Sequence, residues 1–326
     1  MKVKNLDIVV VGELNADLIL TGLPSLPEMG KCKLSKDMNF TLGSASAIFA
    51  GNIARLGLNV GFLGKIGDDH TGDFLLESLR KRKVDTSRII RDKNGKTGIC
   101  VSLSFPENYA MASYPGVRET FCLEDVDFGY ISTARHMHMS SYYLQPGIQN
   151  GTPELFRRAK ELGLSTSFDP DSDPSGRWGK SIFETLKHVD VFLPNESEAL
   201  NISGRSSIES ALDFLGEMVN TVVIKSGRDG VWVKDRKKTI HLRVFQIDVV
   251  DTTGAGDSFN SGFIYQYLKG SDIEKCALWG NACAAISTTK SGGITAFPDP
   301  HELQQFFDER RDEIERITEK KNNSVF

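Results

Sequence analysis

The sequence predicts an α/β fold in which helices flank a large, mostly parallel sheet and a small β-sheet forms a lid. Two observations lead to this prediction. Short apolar segments of strand length alternate along the chain with amphipathic segments of helical length, which is typical of parallel sheets. Two other segments alternate strictly between apolar and polar residues, which indicates strands with one buried and one wet face.

Uninterrupted apolar runs predict the buried strands of the main sheet. They lie at residues 8–11, 60–63, 189–193 and 221–224. Helices between the strands are predicted from their caps. Thr152 precedes Pro153, which predicts a helix capped by Thr152 and ended by Gly163. A capping-box pattern beginning at Ser271 predicts a later helix.

The alternating segments predict a separate layer. In the first, Leu34, Met38, Phe40 and Leu42 alternate with polar residues at 35, 37, 39 and 41; in the second, apolar residues at 99, 101 and 103 alternate with those at 100, 102 and 104. Because one-sided alternation suits an antiparallel sheet, we expect these strands to form a lid and not edge strands of the main sheet. The predicted division gives the lid residues 15–41 and 97–121, and gives the α/β core residues 1–14, 42–96 and 122–326.

Composition and charge exclude several classes of partner. The chain has 326 residues, of which 40% are hydrophobic and 25% charged, with a formal net charge of −4. This balance is ordinary for a globular enzyme and argues against nucleic acid as a partner. No apolar run approaches the length of a membrane span. The five cysteines are widely spaced and form no Cys-x-x-Cys pair, so we expect reduced thiols in a cytoplasmic protein.

The ends of the predicted strands carry polar groups. These ends are Gly12-Glu13, Asp169, Asn195-Glu196 and Lys225-Ser226-Gly227. In open α/β sheets, ligands bind beyond the carboxyl ends of the strands. A single polar strand end means little, but four in series predict a crevice that binds polyols, phosphates or a metal.

The segment at 249–259 has the most specific pattern in the chain. An extended stretch leads into Gly254-Ala255-Gly256 and then Asp257, after which an apolar helix runs to Gly270. The small residues let a bulky anion approach backbone N–H groups at a helix N-terminus, where the dipole favours negative charge. A carboxylate at this turn is suited to take the proton of a hydroxyl that attacks the γ-phosphate of ATP. The sequence therefore predicts Asp257 as a catalytic base.

Four segments together resemble the ribokinase, or PfkB, family of carbohydrate kinases, and the resemblance covers nearly the whole chain. The turn Asp251-Thr-Thr-Gly-Ala-Gly-Asp257 resembles the C-terminal signature of the family. The other matching segments lie at residues 43–57, 64–72 and 194–198. The family implies a Rossmann-like core with a β-sheet lid, phosphoryl transfer from ATP, and Mg²⁺.

The resemblance also implies roles for individual residues. Asp257 would be the base, with Gly254, Ala255 and Gly256 as the anion hole. Asn195 and Glu198 would serve the phosphates and hydrated Mg²⁺. The nucleotide would lie along Lys225, Ser226, Gly227 and Gly230, with Asn281 near the adenine. Asp251 and Thr253, with carbonyls around Ser287, Lys290 and Gly292, match a monovalent-cation loop that suggests K⁺. Asp17, Gly43 and Ser44 match positions that hold sugar hydroxyls, and Asp169 is expected on the substrate side.

One departure leaves the substrate open. The Asn usual in the family's N-terminal helix is Ile48 here, which cannot bind a hydroxyl, and Asn52 one turn later would replace it only for a substrate that reaches deeper. We therefore expect a kinase for a sugar or sugar acid. A nucleoside kinase with Ile48 as an apolar wall is one alternative, and a non-catalytic sugar-binding regulator is another. Exposed lid strands with an apolar face suggest a homodimer through the lid.

Weaker patterns have mostly structural interpretations. His136 and His138 would share one face of a strand, but no third metal ligand stands at a recognisable spacing. Asp169, Asp171 and Asp173 resemble the first half of a calcium loop, but the downstream Gly and Glu are missing. Tyr109, Tyr114 and Arg118, which follow a lid strand, would either cover a sugar or form a polar loop.

Overall fold

The computed structural model describes residues 4–105 and 108–318 of the chain. Within them, nine strands form the main sheet in the order β13-β12-β11-β10-β9-β8-β1-β4-β5. The strands from β11 to β5 are parallel, and β12 and β13 are antiparallel additions at one edge. Their bounds are β1 Leu6–Val11, β4 Val60–Gly67, β5 Asp85–Asp92, β8 Ala134–Met139, β9 Ser165–Phe168, β10 Val191–Phe192, β11 Thr221–Lys225, β12 Val231–Asp235 and β13 Thr239–Leu242.

The alternating segments form a second sheet, as the sequence predicts. Its strands are β2 Asn15–Thr21, β3 Asp37–Leu42, β6 Gly98–Phe105 and β7 Asn108–Tyr114, in the order β3-β2-β6-β7. The outer pairs are antiparallel, whereas β2 and β6 are parallel. Tyr109 and Tyr114 therefore belong to a strand and do not follow it; the side chain of Tyr109 lies outside the described part. The division into core and lid at the stated boundaries stays a prediction.

Helices cover both faces of the main sheet. They are α1 Ala45–Arg55, α2 His70–Lys81, α3 Phe128–Ile131, α4 Pro146–Gln149, α5 Thr152–Glu161, α6 Ile182–Leu186, α7 Glu196–Ser203, α8 Ile208–Gly216, α9 Ala255–Leu268, α10 Ile273–Ser287, α11 Pro300–Glu309 and α12 Arg311–Thr318. Successive residues of β1 point to opposite faces of the sheet. Ile8 and Val10 join the core cluster that includes α1, α9 and α10, while Val9 and Val11 join the one that includes α5 and α8.

Two predicted caps are wrong in detail. Thr152 lies inside the first turn of α5, because its hydroxyl donates to the Ile148 carbonyl while Gly151 takes the N-cap position. Helix α10 is capped by Asp272, whose carboxylate accepts from the Lys275 amide, while the Ser271 hydroxyl donates to Gln266. Each hydroxyl donates to an oxygen outside the helix and does not accept from an amide of the first turn.

In the described ranges, no helix combines the length and the apolar character needed to cross a membrane. The five cysteines are free thiols. Buried cysteines such as Cys283 behave as small apolar residues, since burial raises the pKa of that thiol.

Candidate active site

The glycine turn at 254–256 lies at the N-terminus of α9. Gly254 is the N-cap residue and has a φ of 71°, in the left-handed region. A Cβ atom at Gly254 would lie 2.5 Å from the Cα of Gly293, so a side chain is excluded at this position. At Gly256 the space is open, since the nearest atom to an added Cβ is the Lys225 Nζ at 3.6 Å. The turn thus has free space on the side of Gly256, next to a cation.

Asp257 lies in the first turn of α9 and is half-buried. Burial, and next the negative charge of Asp169, raises the pKa of its carboxyl group well above the ordinary value of 3.8. The charge of Lys225 acts in the opposite direction. A carboxylate with a raised pKa holds a proton more strongly, which is the property required of a general base.

Lys225, Asp169 and Asn260 form a bonded group beside Asp257. The Lys225 Nζ donates to Asp169 Oδ2 at 2.7 Å and to Asn260 Oδ1 at 3.2 Å. The Asn260 amide donates to the same Asp169 oxygen at 2.5 Å. The charges of Asp169 and Glu198 raise the Lys225 pKa, although its burial acts against this. Sequence reasoning missed Asn260, which has no signal beyond its position one turn after Gly256.

Asn195 and Glu198 cap α7 through a capping box. The Asn195 side chain accepts from the Glu198 amide at 2.9 Å, and the Glu198 carboxylate accepts from the Asn195 amide at 2.8 Å. Burial, with the negative charge of Asp169, raises the Glu198 pKa to about 8. A nearby cation would make it easier to ionise Glu198 beside the negative charge of Asp169. A bound Mg²⁺ would have this effect. Across residues 4–105 and 108–318, no three acidic, His or Cys side chains are arranged to hold a metal directly. An ion here would be held through water and phosphate oxygens.

A cavity of about 630 Å³ adjoins the glycine turn and has a mostly apolar wall. Predicted residues on its wall are Lys225, Gly227, Gly230, Ala255, Gly256 and Asn281. The volume is in the range of small-molecule sites. The segment 244–249, with Phe259, Ala284 and Ala285, completes the wall and was missed. Its only signal in the sequence is a short apolar run after β13.

Two predicted nucleotide residues have structural contacts. The Asn281 amide donates to the Arg243 carbonyl at 2.9 Å and so fixes the segment that covers the cavity. Ser226 is not on the cavity wall. Its amide donates to the Gly230 carbonyl at 2.8 Å, and its buried hydroxyl has no partner in the described chain.

The second group of predicted residues gathers around Asp17. The Asn15 amide donates to Asp17 Oδ1 at 3.0 Å. A Cβ atom at Gly43 would lie 2.1 Å from the same oxygen, so Gly43 is needed for the close approach of Asp17. Burial raises the Asp17 pKa to about 7, although the charge of Arg118 lowers it. This carboxyl therefore titrates near neutrality.

Ser44 and Glu13 join this group to the ends of the main strands. Ser44 has a φ of 70° and caps α1, and its hydroxyl donates to the Glu13 carbonyl at 2.7 Å. The buried Glu13 carboxylate accepts from the hydroxyl groups of Ser46 and Ser141. Ser141 and its other partner, Asp171, also have positive φ values. Three non-glycine residues in the left-handed region around one carboxylate indicate a constrained site.

Ile48 and Asn52 do not have the roles considered from the sequence. Ile48 is only 3% exposed, and its side chain packs against Gly254 and Gly293. It therefore offers little surface as a wall for a nucleobase. The Asn52 amide donates to the Gly293 carbonyl at 3.0 Å and to the Ser258 hydroxyl at 3.2 Å. The Asn52 side-chain NH₂ group thus holds the turn in place, while its Oδ1 is buried without a hydrogen-bond partner among the described residues.

Asp251 joins the two segments of the predicted cation loop. One of its carboxylate oxygens accepts from the amide and hydroxyl of Thr253, at 2.9 and 2.8 Å. The other accepts from the amide of Gly292 at 2.9 Å and from the Ser291 hydroxyl at 3.3 Å. Since both oxygens are already bonded, backbone carbonyls would supply most ligands of a monovalent cation.

The histidine pair and the aspartates at 169–173 are bonded within the protein and form no metal site in the described residues. His136 and His138 are buried, and burial lowers the pKa of both rings, while their nitrogens bond to Ser165, Ser167 and Ser140. Asp173 accepts from amides of its own loop and does not converge with Asp169 on a calcium site.

Phosphoryl transfer needs positioning and charge stabilisation more than covalent chemistry from the protein. Glycines at a helix N-terminus, a carboxylate in the first turn and an adjoining cavity of nucleotide size meet that need. The fold and this arrangement are those of the α/β small-molecule kinases. The chain belongs to the pfkB family of carbohydrate kinases, whose model matches residues 5–300.

Relatives agree with this assignment. An uncharacterized sugar kinase of Archaeoglobus fulgidus is 30% identical over 246 residues, covering 76% of this chain and 98% of the relative. A 5-dehydro-2-deoxygluconokinase of Shouchella clausii is 30% identical over 283 residues, covering 82% and 87%. The solved ribokinase of Thermotoga maritima superposes with a TM-score of 0.81 at 27% identity, covering 93% and 99%. The predicted α/β fold and the predicted class of enzyme, a carbohydrate kinase, are confirmed.

Proposed function

We propose that the protein transfers the γ-phosphoryl group of ATP to a hydroxyl of a sugar or sugar acid, with Asp257 as the general base. The observation that supports this most is the position of Asp257. Its carboxyl group, with a raised pKa, stands in the first turn of α9 directly after the open space at Gly256. Asp257 thus directly follows Ala255 and Gly256, two residues of the turn that also line the cavity.

In the proposed mechanism, ATP lies in the 630 Å³ cavity with its phosphates over Gly254, Ala255 and Gly256. The acceptor lies between Asp17 and Asp257. Asp257 takes the hydroxyl proton while the amides of the turn stabilise the charge on the transferred group. Lys225 is placed to offset part of that charge, since its Nζ lies beside Gly256. Mg²⁺ would neutralise the phosphates next to Asn195 and Glu198. K⁺ at the loop of Asp251 and Thr253 remains part of the proposal.

The acceptor side favours a polyol over a nucleoside. Asp17, Asn15 and the Gly43–Ser44 backbone offer several hydrogen-bonding groups close together. Each hydroxyl buried without a partner would cost about 1–3 kcal/mol, so a polyol needs such a set. The residue that favoured a nucleoside, Ile48, is buried against the turn. A non-catalytic regulator would not need Asp257 and the open turn together.

A screen of ATP consumption tests the proposal. Ketohexoses, pentoses, keto-deoxy sugar acids and nucleosides would each be supplied with MgATP and the full chain, and compared with the Asp257→Asn variant. We expect a sugar or sugar acid to be the best acceptor and the variant to be nearly inactive. A nucleoside as the best acceptor, or full activity of the variant, would contradict the proposal.

We also propose that the protein forms a homodimer through its lid and acts in the cytoplasm. Support for the dimer comes from the second sheet, whose outward face carries Met38, 57% exposed, beside the half-exposed Leu18, Leu20, Val101 and Leu103. A second copy of the sheet would cover this apolar face.

A further inference from the structure

Arg118 is a buried cation that the proposed mechanism does not use. It lies in a short 3₁₀ helix, Gly116–Thr120, that follows β7, and it is 8% exposed. Its Nη1 donates to Asn15 Oδ1 at 3.0 Å and its Nη2 to the Ser113 hydroxyl at 3.3 Å. The buried Nε has no hydrogen-bond partner among the described residues. Of the five N–H groups of the guanidinium, two therefore donate to protein oxygens, and the buried Nε–H has no acceptor among the described residues.

Burial of this charge needs an explanation. Buried arginines usually pair with a carboxylate, because an isolated charge in the interior is costly. Within residues 4–105 and 108–318, Arg118 makes no ion pair, and its two bonds go to a neutral amide oxygen and a neutral hydroxyl. The edge formed by Nε and Nη2 has only the long bond to Ser113. That edge is the one that binds carboxylates and phosphates with two parallel hydrogen bonds.

The location of Arg118 points to the acceptor and not to ATP. Asn15, which accepts from Arg118, donates in turn to Asp17, and both lie against Gly43. The described wall of the nucleotide cavity does not include Arg118. The guanidinium therefore belongs to the group of side chains that faces the acceptor.

We propose that Arg118 binds an acidic group, a carboxylate or a phosphate, on the acceptor. The acceptor class would then be a sugar acid or an already phosphorylated sugar, and not a neutral sugar. This inference rests on the proposed function, since it names the substrate of the same site. A purely structural role, in which Arg118 only orients Asn15, would need one N–H group and no charge.

The electrostatics of the site agree with this assignment. Carboxyl groups of Glu13, Asp17 and Asp251 lie near one another, and both Glu13 and Asp251 act to raise the Asp17 pKa. An acceptor with its own negative charge would be repelled from this surface unless a cation offset it. Arg118 is the group whose charge lowers the Asp17 pKa, against the larger effect of burial.

Matched pairs of ligands test the inference on the full chain. Each pair shares a carbon skeleton: D-gluconate with D-glucitol, a keto-deoxy aldonate with its neutral alditol, and D-ribose 5-phosphate with D-ribose. Binding is measured by calorimetry without nucleotide, and kcat/KM is measured with MgATP. Variants are Arg118→Met, Arg118→Lys and, as a control, Arg311→Met on the exposed surface of α12.

We expect the wild-type chain to prefer an acidic member over its neutral counterpart. The Arg118→Met variant should reduce that preference roughly 10- to 100-fold, as expected for loss of charged hydrogen bonds. Arg118→Lys should restore part of it, Arg311→Met should keep it, and the KM for ATP should not change. The carboxylate and phosphate pairs show which acidic group is bound.

Two results would overturn the inference: equal binding of the acidic and neutral members by the wild-type chain, or a preference that survives in Arg118→Met. The first comparison needs no variant, so a misfolded Arg118→Met would not prevent a decision. Binding also separates the inference from the proposed function. If acidic ligands bind through Arg118 but none is phosphorylated, the inference stands and the kinase mechanism fails.

Discussion

At the residue scale, the candidate site holds many carboxylates and few cations. Burial raises the pKa of Asp17 and of Asp257, and nearby carboxylates add to the effect: Asp251 and Glu13 act on Asp17, and Asp169, Asp171 and Glu13 act on Asp257. The charge of Arg118 offsets part of this at Asp17, and the charge of Lys225 does so at Asp257. The raised pKa makes the Asp257 carboxylate a stronger proton acceptor than an ordinary aspartate, which suits the proposed base. Repulsion between these carboxylates also destabilises the ligand-free chain, and bound cations would reduce that repulsion.

The Asp257→Asn change tests the general base. The amide keeps the size of the side chain but cannot accept the proton, so we expect kcat to fall by about 10²–10⁴ with little change in the KM for ATP. In the wild-type chain, kcat/KM should fall as the pH is lowered through the raised pKa of Asp257, since the protonated acid is inactive. The exposed Asp213→Asn serves as the control. A variant with near-normal kcat would remove Asp257 from the mechanism.

The Asp17→Asn change tests how much the ionised, buried Asp17 carboxylate destabilises the ligand-free chain. The Asp17 pKa is about 7 in the folded chain and 3.8 in its ordinary state, so the folded chain binds more protons between these pH values. The contribution of Asp17 to the stability of the folded chain therefore decreases as the pH rises from about 4 to about 7. The variant should be more stable than the wild type at pH 8, by at most about 4 kcal/mol, and the difference should vanish near pH 4.

Denaturant midpoints of both proteins at pH 4, 5, 6, 7 and 8 would measure this difference. A gap that stays constant with pH would show that the pKa of Asp17 is the same in the folded and the unfolded chain. The same variant should bind the acceptor more weakly while it still binds ATP.

At the element scale, the N-termini of α1 and α9 meet through small residues. Gly254 and Gly293 approach closely, Ile48 of α1 covers both, and Asn52 bonds to the Gly293 carbonyl. The glycine turn is thus held from one side by packing, while the other side, at Gly256, stays open. Rigid support of this kind would fix the amides where charge develops in the proposed reaction.

The two glycines give a matched pair of variants. An alanine at Gly254 must adopt a φ near +70° and clash with Gly293, so Gly254→Ala should lose roughly 1–3 kcal/mol of stability. Gly256→Ala meets only the tip of Lys225, so its stability should be nearly unchanged while its kcat falls, because the methyl group occupies the phosphate side. Thermal denaturation and steady-state kinetics separate the two effects. Normal turnover by Gly256→Ala would mean that the phosphate does not lie there.

At the scale of the whole molecule, the second sheet has two different faces. Cross-strand partners Asp17, Thr41, Cys100 and Ser113 place polar groups on the side of the acceptor. The next residues along these strands, Leu18, Phe40 and Val101, point to the other side. A sheet with a polar inner face and an apolar outer face needs a cover on its outside, which is the basis for the proposed dimer.

The Met38→Asp change tests the dimer. Met38 is 57% exposed on an edge strand, so the variant should fold, yet a charge in the interface should weaken association. Light scattering after gel filtration should show a dimer for the wild type and a monomer for Met38→Asp. Leu162→Asp, a change at another exposed apolar residue, should remain dimeric. A wild-type monomer would rule out this role of the lid.

The sequence by itself determined the fold class, because alternation with period two and uninterrupted apolar runs are local patterns with direct physical meaning. It also identified the turn at 254–257, since glycines before a helix and a carboxylate in its first turn are adjacent along the chain. Helix caps were less reliable, because the hydroxyls of Thr152 and Ser271 donate to Ile148 and Gln266 and do not accept from the helix amides. Propensity alone does not choose between competing hydrogen bonds.

Only the tertiary structure decided which distant residues share a site. Asn260 bonds to Asp169, Ile48 packs on the glycine turn instead of lining a pocket, and Arg118 joins Asn15 across more than a hundred residues of chain. Such contacts depend on the register of two sheets and on the approach of two helix ends. These are set by long-range packing, which leaves no periodic trace in the sequence. The position of the turn was therefore readable from the chain, whereas the contacts around the proposed acceptor site were not.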